Sequence, residues 1–150
     1  DHAHTPTGRK PHVQSRPATL DDIARTIDDY TTAARNAKAA GFDGVQLHGA
    51  NGYFIDQFLR LSTNHRDDDY GGSPENRTRL LRQVLERLIS VWGADRVSVR
   101  LSPNGDSQGC DDPDPVAIFG EAARVCQALK LGFVDTAEWD DDEKILMRDL

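Results

Sequence analysis

The chain has 150 residues, of which 37% are apolar, with 18 Lys and Arg against 25 Asp and Glu for a formal net charge of −7. That is the length of one ordinary domain, and no stretch approaches the roughly 18 consecutive apolar residues of a membrane span. The acidic balance argues against nucleic acid or an anionic membrane surface as the main partner, because both select for clustered Lys and Arg.

Asp1 to Pro6 lack the basic and apolar regions of a signal peptide, and the first residue is not Met. The expectation is a soluble chain, processed or a fragment. Cys110 and Cys126 stand apart with no C-x-x-C, so they suggest neither a disulfide framework nor a zinc site; a reducing, cytoplasmic setting follows.

Residues 1–18 carry Pro6, Gly8, Pro11 and Pro17 without apolar periodicity and are expected to form an extended lead-in segment. A domain is expected over 19–139. Thr19 with Asp22 resembles a capping box, and Leu20, Ile23, Ala24, Ile27, Tyr30, Ala34 and Ala37 recur at helical spacing until Gly41. Phe42 to His48, with Val45 and Leu47 alternating against Gln46 and His48, predicts a first strand. A short helix around Phe54 to Leu61 interrupts an irregular stretch from Gly49 to Gly72.

Ser73-Pro74 then opens a second helix with the stripe Leu80, Leu81, Val84, Leu85, Leu88 and Ile89, ending before Gly93. Arg96 to Ser102 alternates as a second strand, Val97, Val99 and Leu101 against Ser98, Arg100 and Ser102. Asp112-Pro113-Asp114-Pro115 starts a third helix that stops at Gly132, and Phe133 to Trp139 is the third strand. An acidic tail occupies 140–150. Helices alternating with strands imply an α/β fold of parallel strands and helical crossovers.

The alternation assigns faces. If the Val and Leu of the first two strands meet helices, then Gln46, His48, Ser98, Arg100 and Ser102 share the other face, the place where a (β/α)8 barrel puts the residues beneath its active-site mouth. Arg100 keeps its charge and requires an anion, a carbonyl or water; a ligand, solvent or an internal carboxylate each satisfies it. His48-Gly49-Ala50-Asn51-Gly52-Tyr53 leaves the first strand with two glycines that allow a sharp bend. His48 and Asn51 are donors suited to one shared oxygen, and the Tyr53 phenol is a donor or general acid, although such a loop also has a purely structural reading.

The loop 62–77 mixes acids, bases and turn formers; a self-packed loop with Arg66 or Arg77 paired to a nearby Asp is the plain expectation. His2-x-His4 with His12 imitates a metal tract, but in a lead-in segment it does not make a metal site, and none is expected. The run Asp140 to Glu143 reads as a solvated face. Phosphate-loop and dinucleotide glycine motifs are absent.

Taken together, these residues resemble the old yellow enzyme family of flavoprotein reductases. The likeness is carried by Ala39-Ala40-Gly41-Phe42-Asp43-Gly44-Val45-Gln46-Leu47-His48-Gly49-Ala50-Asn51-Gly52-Tyr53, Asp56-Gln57-Phe58-Leu59 and Asn64-x-Arg66. It continues in Asp69-Tyr70-Gly71-Gly72-Ser73-x-Glu75-Asn76-Arg77 and Val99-Arg100-Leu101-Ser102-Pro103. The resemblance implies an FMN-containing (β/α)8 TIM barrel that takes hydride from NADPH or NADH and reduces activated alkenes such as enones, maleimides and nitroalkenes. It further implies that His48 and Asn51 bind the substrate oxygen, that Tyr53 supplies the proton, and that Arg100 lies against the flavin N1 and C2 carbonyl.

A complete barrel takes about 200 to 250 residues. Three strands, by order the fourth to sixth, make a partial barrel, and the family's flavin-phosphate loops lie beyond them. A second reading follows: a truncated, non-catalytic barrel fragment that binds no flavin alone and acts through self-association or a complementing barrel fragment.

Overall fold

The structure is a computed structural model that describes residues 2–11 and 15–137. The expected acidic tail and the end of the third strand, Glu138 and Trp139, lie outside the described residues, as does His12.

The lead-in is extended, but it is not a lone segment. Strands β1 (His2–Thr5) and β2 (Gly8–Pro11) pair antiparallel with Thr5 opposite Gly8, so Pro6 and Thr7 form a two-residue turn. Thr5 Oγ1 donates to the Gly8 carbonyl at 2.6 Å, and Gly8 adopts φ +103°. Turn chemistry sets this register. No apolar alternation accompanies it, and β2 is exposed throughout, which is why hydrophobic patterning did not reveal the hairpin.

Helix α1 (Leu20–Ala39) begins with the expected capping box: Thr19 Oγ1 accepts from the Asp22 amide at 3.1 Å, and Asp22 Oδ2 accepts from the Thr19 amide at 3.0 Å. The Arg16 guanidinium and the Thr19 donors hold the Asp22 carboxyl well below the usual carboxylate range. The helix ends in a Schellman motif, with Gly41 N–H donating to Lys38 O and Phe42 N–H to Ala37 O.

Three parallel strands follow, β3 (Val45–Gly49), β4 (Val97–Leu101) and β5 (Phe133–Thr136), in the spatial order β3-β4-β5. Between β3 and β4 lie α2 (Phe54–Leu59), α3 (Pro74–Arg77) and α4 (Arg79–Trp92); α5 (Pro115–Leu129) connects β4 to β5. The expected single helix from Pro74 is broken at Thr78. There the side-chain hydroxyl donates back to the Pro74 and Glu75 carbonyls, a bond that competes with helix propagation and bends the chain.

The core lies between this sheet and one layer of helices. Leu80, Leu81, Val84, Leu85 and Leu88 of α4 and Ile118, Phe119, Ala122, Val125 and Cys126 of α5 join Leu47, Val97, Val99 and Leu101, with Ile55, Phe58 and Leu59 of α2 and Ile23, Ile27 and Ala34 of α1 completing the cluster. Gln46 and His48 are exposed on the other face, and Arg100 is half-buried there. The alternation therefore assigned these faces correctly, with two corrections. Ser98, central between Gln46 and Phe133, is buried, and Ser102, one residue past β4, is buried in a polar network instead of standing on the open face. Among the described residues no helix is long and apolar enough to cross a membrane.

Burial within α5 pushes the Cys126 thiol from an ordinary value near 9 up to about 11. The folded state then keeps a proton that the unfolded chain releases, so this group's contribution is complete below pH 9 and is lost as pH rises towards 11. Urea unfolding at pH 8 and pH 11 should show a larger loss of stability for the native chain than for Cys126→Ala; equal losses would refute the assignment.

Candidate active site

At the C-terminal end of β3 the chain turns through two consecutive residues with left-handed backbone, Asn51 at φ +59° and Gly52 at φ +75°. Asn is one of the few side chains that tolerates this region. At Gly52 there is no alternative, because a Cβ would lie 2.4 Å from Ser107 O and 2.5 Å from Gln108 Cβ. The turn is held from beneath: Asn51 N–H donates to Ser102 Oγ and Gly52 N–H to Asp56 Oδ2, both at 2.9 Å, while Gln57 Nε2 donates to Gly52 O at 2.8 Å.

This turn brings His48 and Tyr53 together, with ring centroids 5.2 Å apart and an interplanar angle of 53°. Tyr53 precedes the first turn of α2 and is 55% exposed. Between them in sequence, Asn51 has a buried Oδ1 without a hydrogen-bond partner among the described residues. Buried polar atoms are normally satisfied, and a half-turn of this amide presents its NH2 donor at the same place. Asn51 is thus a side chain whose polar end the described residues leave unsatisfied.

Arg100 faces the same side. It is the register partner of His48 across β3 and β4, which places their backbones one strand spacing, about 4.8 Å, apart. Its Nη1 donates to Asp135 Oδ2 at 2.9 Å, and its side chain remains 41% exposed. A guanidinium has five N–H donors, so a cation balanced by one carboxylate retains capacity for a carbonyl or an electron-rich ring edge. Sequence reasoning left an internal carboxylate open for Arg100 but did not identify Asp135; its position in the third strand, level with Arg100, was the available signal.

Beneath the turn lies a network that the sequence reading also missed. Asp56 and Arg60, both about 1% exposed, form an ion pair through Arg60 Nε and Asp56 Oδ1 at 2.9 Å. Arg60 Nη2 donates to the Ser102 carbonyl at 2.5 Å, and the guanidinium lies over the Phe119 ring, 4.6 Å from its centroid. Their i,i+4 spacing was a usable local sign.

The 62–77 loop is self-packed, as expected: Arg66 pairs with Asp68, and Asn64 Nδ2 donates to the Phe58 and Tyr70 carbonyls. Arg77, however, pairs with the distant Asp112 at 2.5 Å, where both side chains are buried. Asp112 also accepts from the Leu61 and Asp114 amides, tying this loop to the start of α5.

The sequence matches the NADH:flavin oxidoreductase / NADH oxidase family over residues 3–141. The chain belongs to this family. It is 51% identical over 108 residues to 12-oxophytodienoate reductase 1 of Oryza sativa subsp. japonica, covering 71% of this chain and 28% of that protein. A probable flavin mononucleotide-dependent alkene reductase of Leishmania infantum is 45% identical over 133 residues, 87% of this chain and 34% of that one. Among solved structures, the old yellow enzyme homologue from Zymomonas mobilis superposes with a TM-score of 0.89 at 51% identity, covering 92% of this chain and 39% of its own. The chain therefore spans about a third of the length of these relatives. Its three-stranded parallel α/β unit superposes on part of an old yellow enzyme fold.

The two classes of ion pair around the site differ in weight. Arg77→Leu leaves Asp112 charged and unpaired in the interior and should destabilise the chain by about 3–5 kcal/mol, whereas Arg66→Leu, at a more exposed pair whose guanidinium also donates to the Ala18 carbonyl, should cost less, about 1–2 kcal/mol. Urea denaturation of both variants checks the ranking.

Proposed function

We propose that this chain carries the substrate-activating part of an FMN-dependent alkene reductase that uses NADPH or NADH, and that its strands β3, β4 and β5 are the fourth to sixth strands of a (β/α)8 barrel. The observation that carries this reading is the open face that holds His48 and Arg100 side by side at the C-terminal ends of β3 and β4, with the Tyr53 ring against His48 and the unpartnered amide of Asn51 in the turn between them. Parallel-strand barrels put their chemistry at that end.

The donor set suits both ligands. Arg100 is the residue that would hold the pyrimidine edge of FMN, where a fixed positive charge favours electron density in the ring. When bound, FMN supplies hydride, gained from the nicotinamide, to the β-carbon of the alkene. His48 and Asn51 would bind the carbonyl or nitro oxygen of an enone, maleimide or nitroalkene and draw electron density towards it, which makes the β-carbon electrophilic. Tyr53 would donate its phenolic proton at the α-carbon. Its exposure leaves the hydroxyl open to substrate.

Among the described residues no strand pairs with the outer edge of β5, which favours a second reading. Phe133 and Val134 are exposed beside a groove of about 460 Å³ lined by Cys126, Leu131 and Thr136, an apolar edge suited to a further strand. In this reading the chain holds no flavin until it associates with itself or with a complementing barrel fragment.

One titration separates the two: FMN added to the 150-residue chain, followed by flavin absorbance and fluorescence, with mass in solution recorded at the same concentration. Saturable binding supports the first reading, and binding confined to an associated species supports the second. In flavin-loaded protein, Arg100→Ala should weaken FMN binding by about 10-fold or more, the loss of a charge-assisted bond. Tyr53→Phe should slow the reduction of 2-cyclohexenone by about 10²-fold or more while flavin reduction by NADH continues. If both half-reactions fall together, Tyr53 is not the proton donor.

A further inference from the structure

We propose that Ser102 is a positioning residue for alkene activation, its hydroxyl clamping the backbone of Asn51 while the buried Asp56–Arg60 pair fixes Ser102 itself. This inference rests on the roles assigned above to His48, Asn51 and Tyr53.

The clamp joins two loops that have no covalent reason to stay in register. Ser102 follows β4, and Asn51 and Gly52 follow β3, 51 and 50 residues earlier. The Ser102 hydroxyl oxygen accepts from Asn51 N–H at 2.9 Å, and its proton faces Asp56 Oδ2 at 3.5 Å. The same Asp56 oxygen accepts from Gly52 N–H at 2.9 Å. Two successive backbone donors are therefore held by one side-chain pair, Ser102 and Asp56.

Ser102 is held in turn through its own carbonyl, which accepts from Arg60 Nη2 at 2.5 Å, and Arg60 is locked to Asp56 Oδ1 and stacked on Phe119. Ser102, Asp56, Arg60 and Phe119 are almost completely buried, so water does not substitute for a bond lost among them.

The consequence falls on Asn51. A left-handed backbone at a non-glycine residue persists only where its surroundings enforce it, and the N–H bond to Ser102 is the enforcement visible at that residue. The Asn51 side chain leaves from this backbone. His48 lies three residues before it and Tyr53 two after, so a relaxed turn would move the two oxygen-binding donors and the phenol relative to one another. A misplacement of about 1 Å is enough to cost about 10²-fold in rate. Arg100, two residues before Ser102, is tied to the same junction, so the clamp also sets the distance between the proposed flavin-facing cation and the proposed oxygen-binding donors.

The test compares Ser102→Ala and Ser102→Thr with the native chain. The first readout needs no cofactor: amide hydrogen exchange of the isotopically labelled chain by NMR. Asn51 N–H should exchange at least about 10-fold faster in Ser102→Ala, with Leu85 and Val99 unchanged as internal controls of folding, and Ser102→Thr should restore protection. The second uses flavin-loaded protein with 2-cyclohexenone. Ser102→Ala should lower kcat by about 10- to 100-fold with FMN affinity unchanged, and Ser102→Thr should recover most of it.

Unchanged exchange at Asn51 in Ser102→Ala overturns the clamp, whatever the activity. Faster exchange with unaltered kcat in an active enzyme overturns the positioning role. If the native chain with FMN reduces no enone, the functional reading fails, and the exchange experiment still decides whether Ser102 holds the turn.

Discussion

The buried Asp56–Arg60 ion pair is the constraint on which the site depends. Two charges removed from water are tolerable only when they meet each other and when their remaining donors and acceptors are satisfied, and here they are satisfied by the backbone of the two loops that matter. Asp56 takes the Gly52 amide and Arg60 takes the Ser102 carbonyl. The electrostatic need of the pair becomes a geometric rule: the chain leaving β3 and the chain leaving β4 must sit at one fixed separation. A hydrophobic replacement could fill the same volume, but it would leave those backbone groups without partners and the turn at Asn51 without a reason for its shape.

Above this tie the sheet divides its labour by face. Val97, Val99 and Leu101 interlock with α4 and α5 in a core that excludes water, and this burial supplies most of the driving force for the fold. The other face carries Gln46, His48 and Arg100, which contribute little to that core. Asp135 balances the charge of Arg100 without burying it. These residues, which folding does not require, gather at the C-terminal ends of parallel strands, the end of the sheet on which the proposed function rests.

What was legible in the sequence follows from the range of each interaction. The capping box at Thr19 and Asp22, the alternation of Val97 to Ser102 and the α4 stripe involve residues within a few positions of one another, and each was visible in the spacing. Thr78 broke the expected helix through a local hydroxyl bond that propensity and stripe both hide. The hairpin of β1 and β2 rests on turn chemistry without an apolar signature. Arg77 with Asp112 and Arg100 with Asp135 are each pairs 35 residues apart, and no local pattern selects one Asp among many. His48, Asn51, Tyr53 and Arg100 stood out in the sequence as candidates, but Ser102 looked like one more open-face polar residue because its burial depends on Asp56 and Arg60 of α2 and its C-cap.

The central claim is that the open polar face, rather than any groove between the helices, receives the flavin. Amide and side-chain chemical shifts of the labelled chain, followed as FMN is added, test it directly. The account predicts saturable changes concentrated at His48, Gly49, Asn51, Tyr53 and Arg100, with α1 and the outer surface of α4 unmoved. Changes confined to the surfaces of α1 and α4, or no saturable change at the His48 and Arg100 face at any FMN concentration, would contradict it.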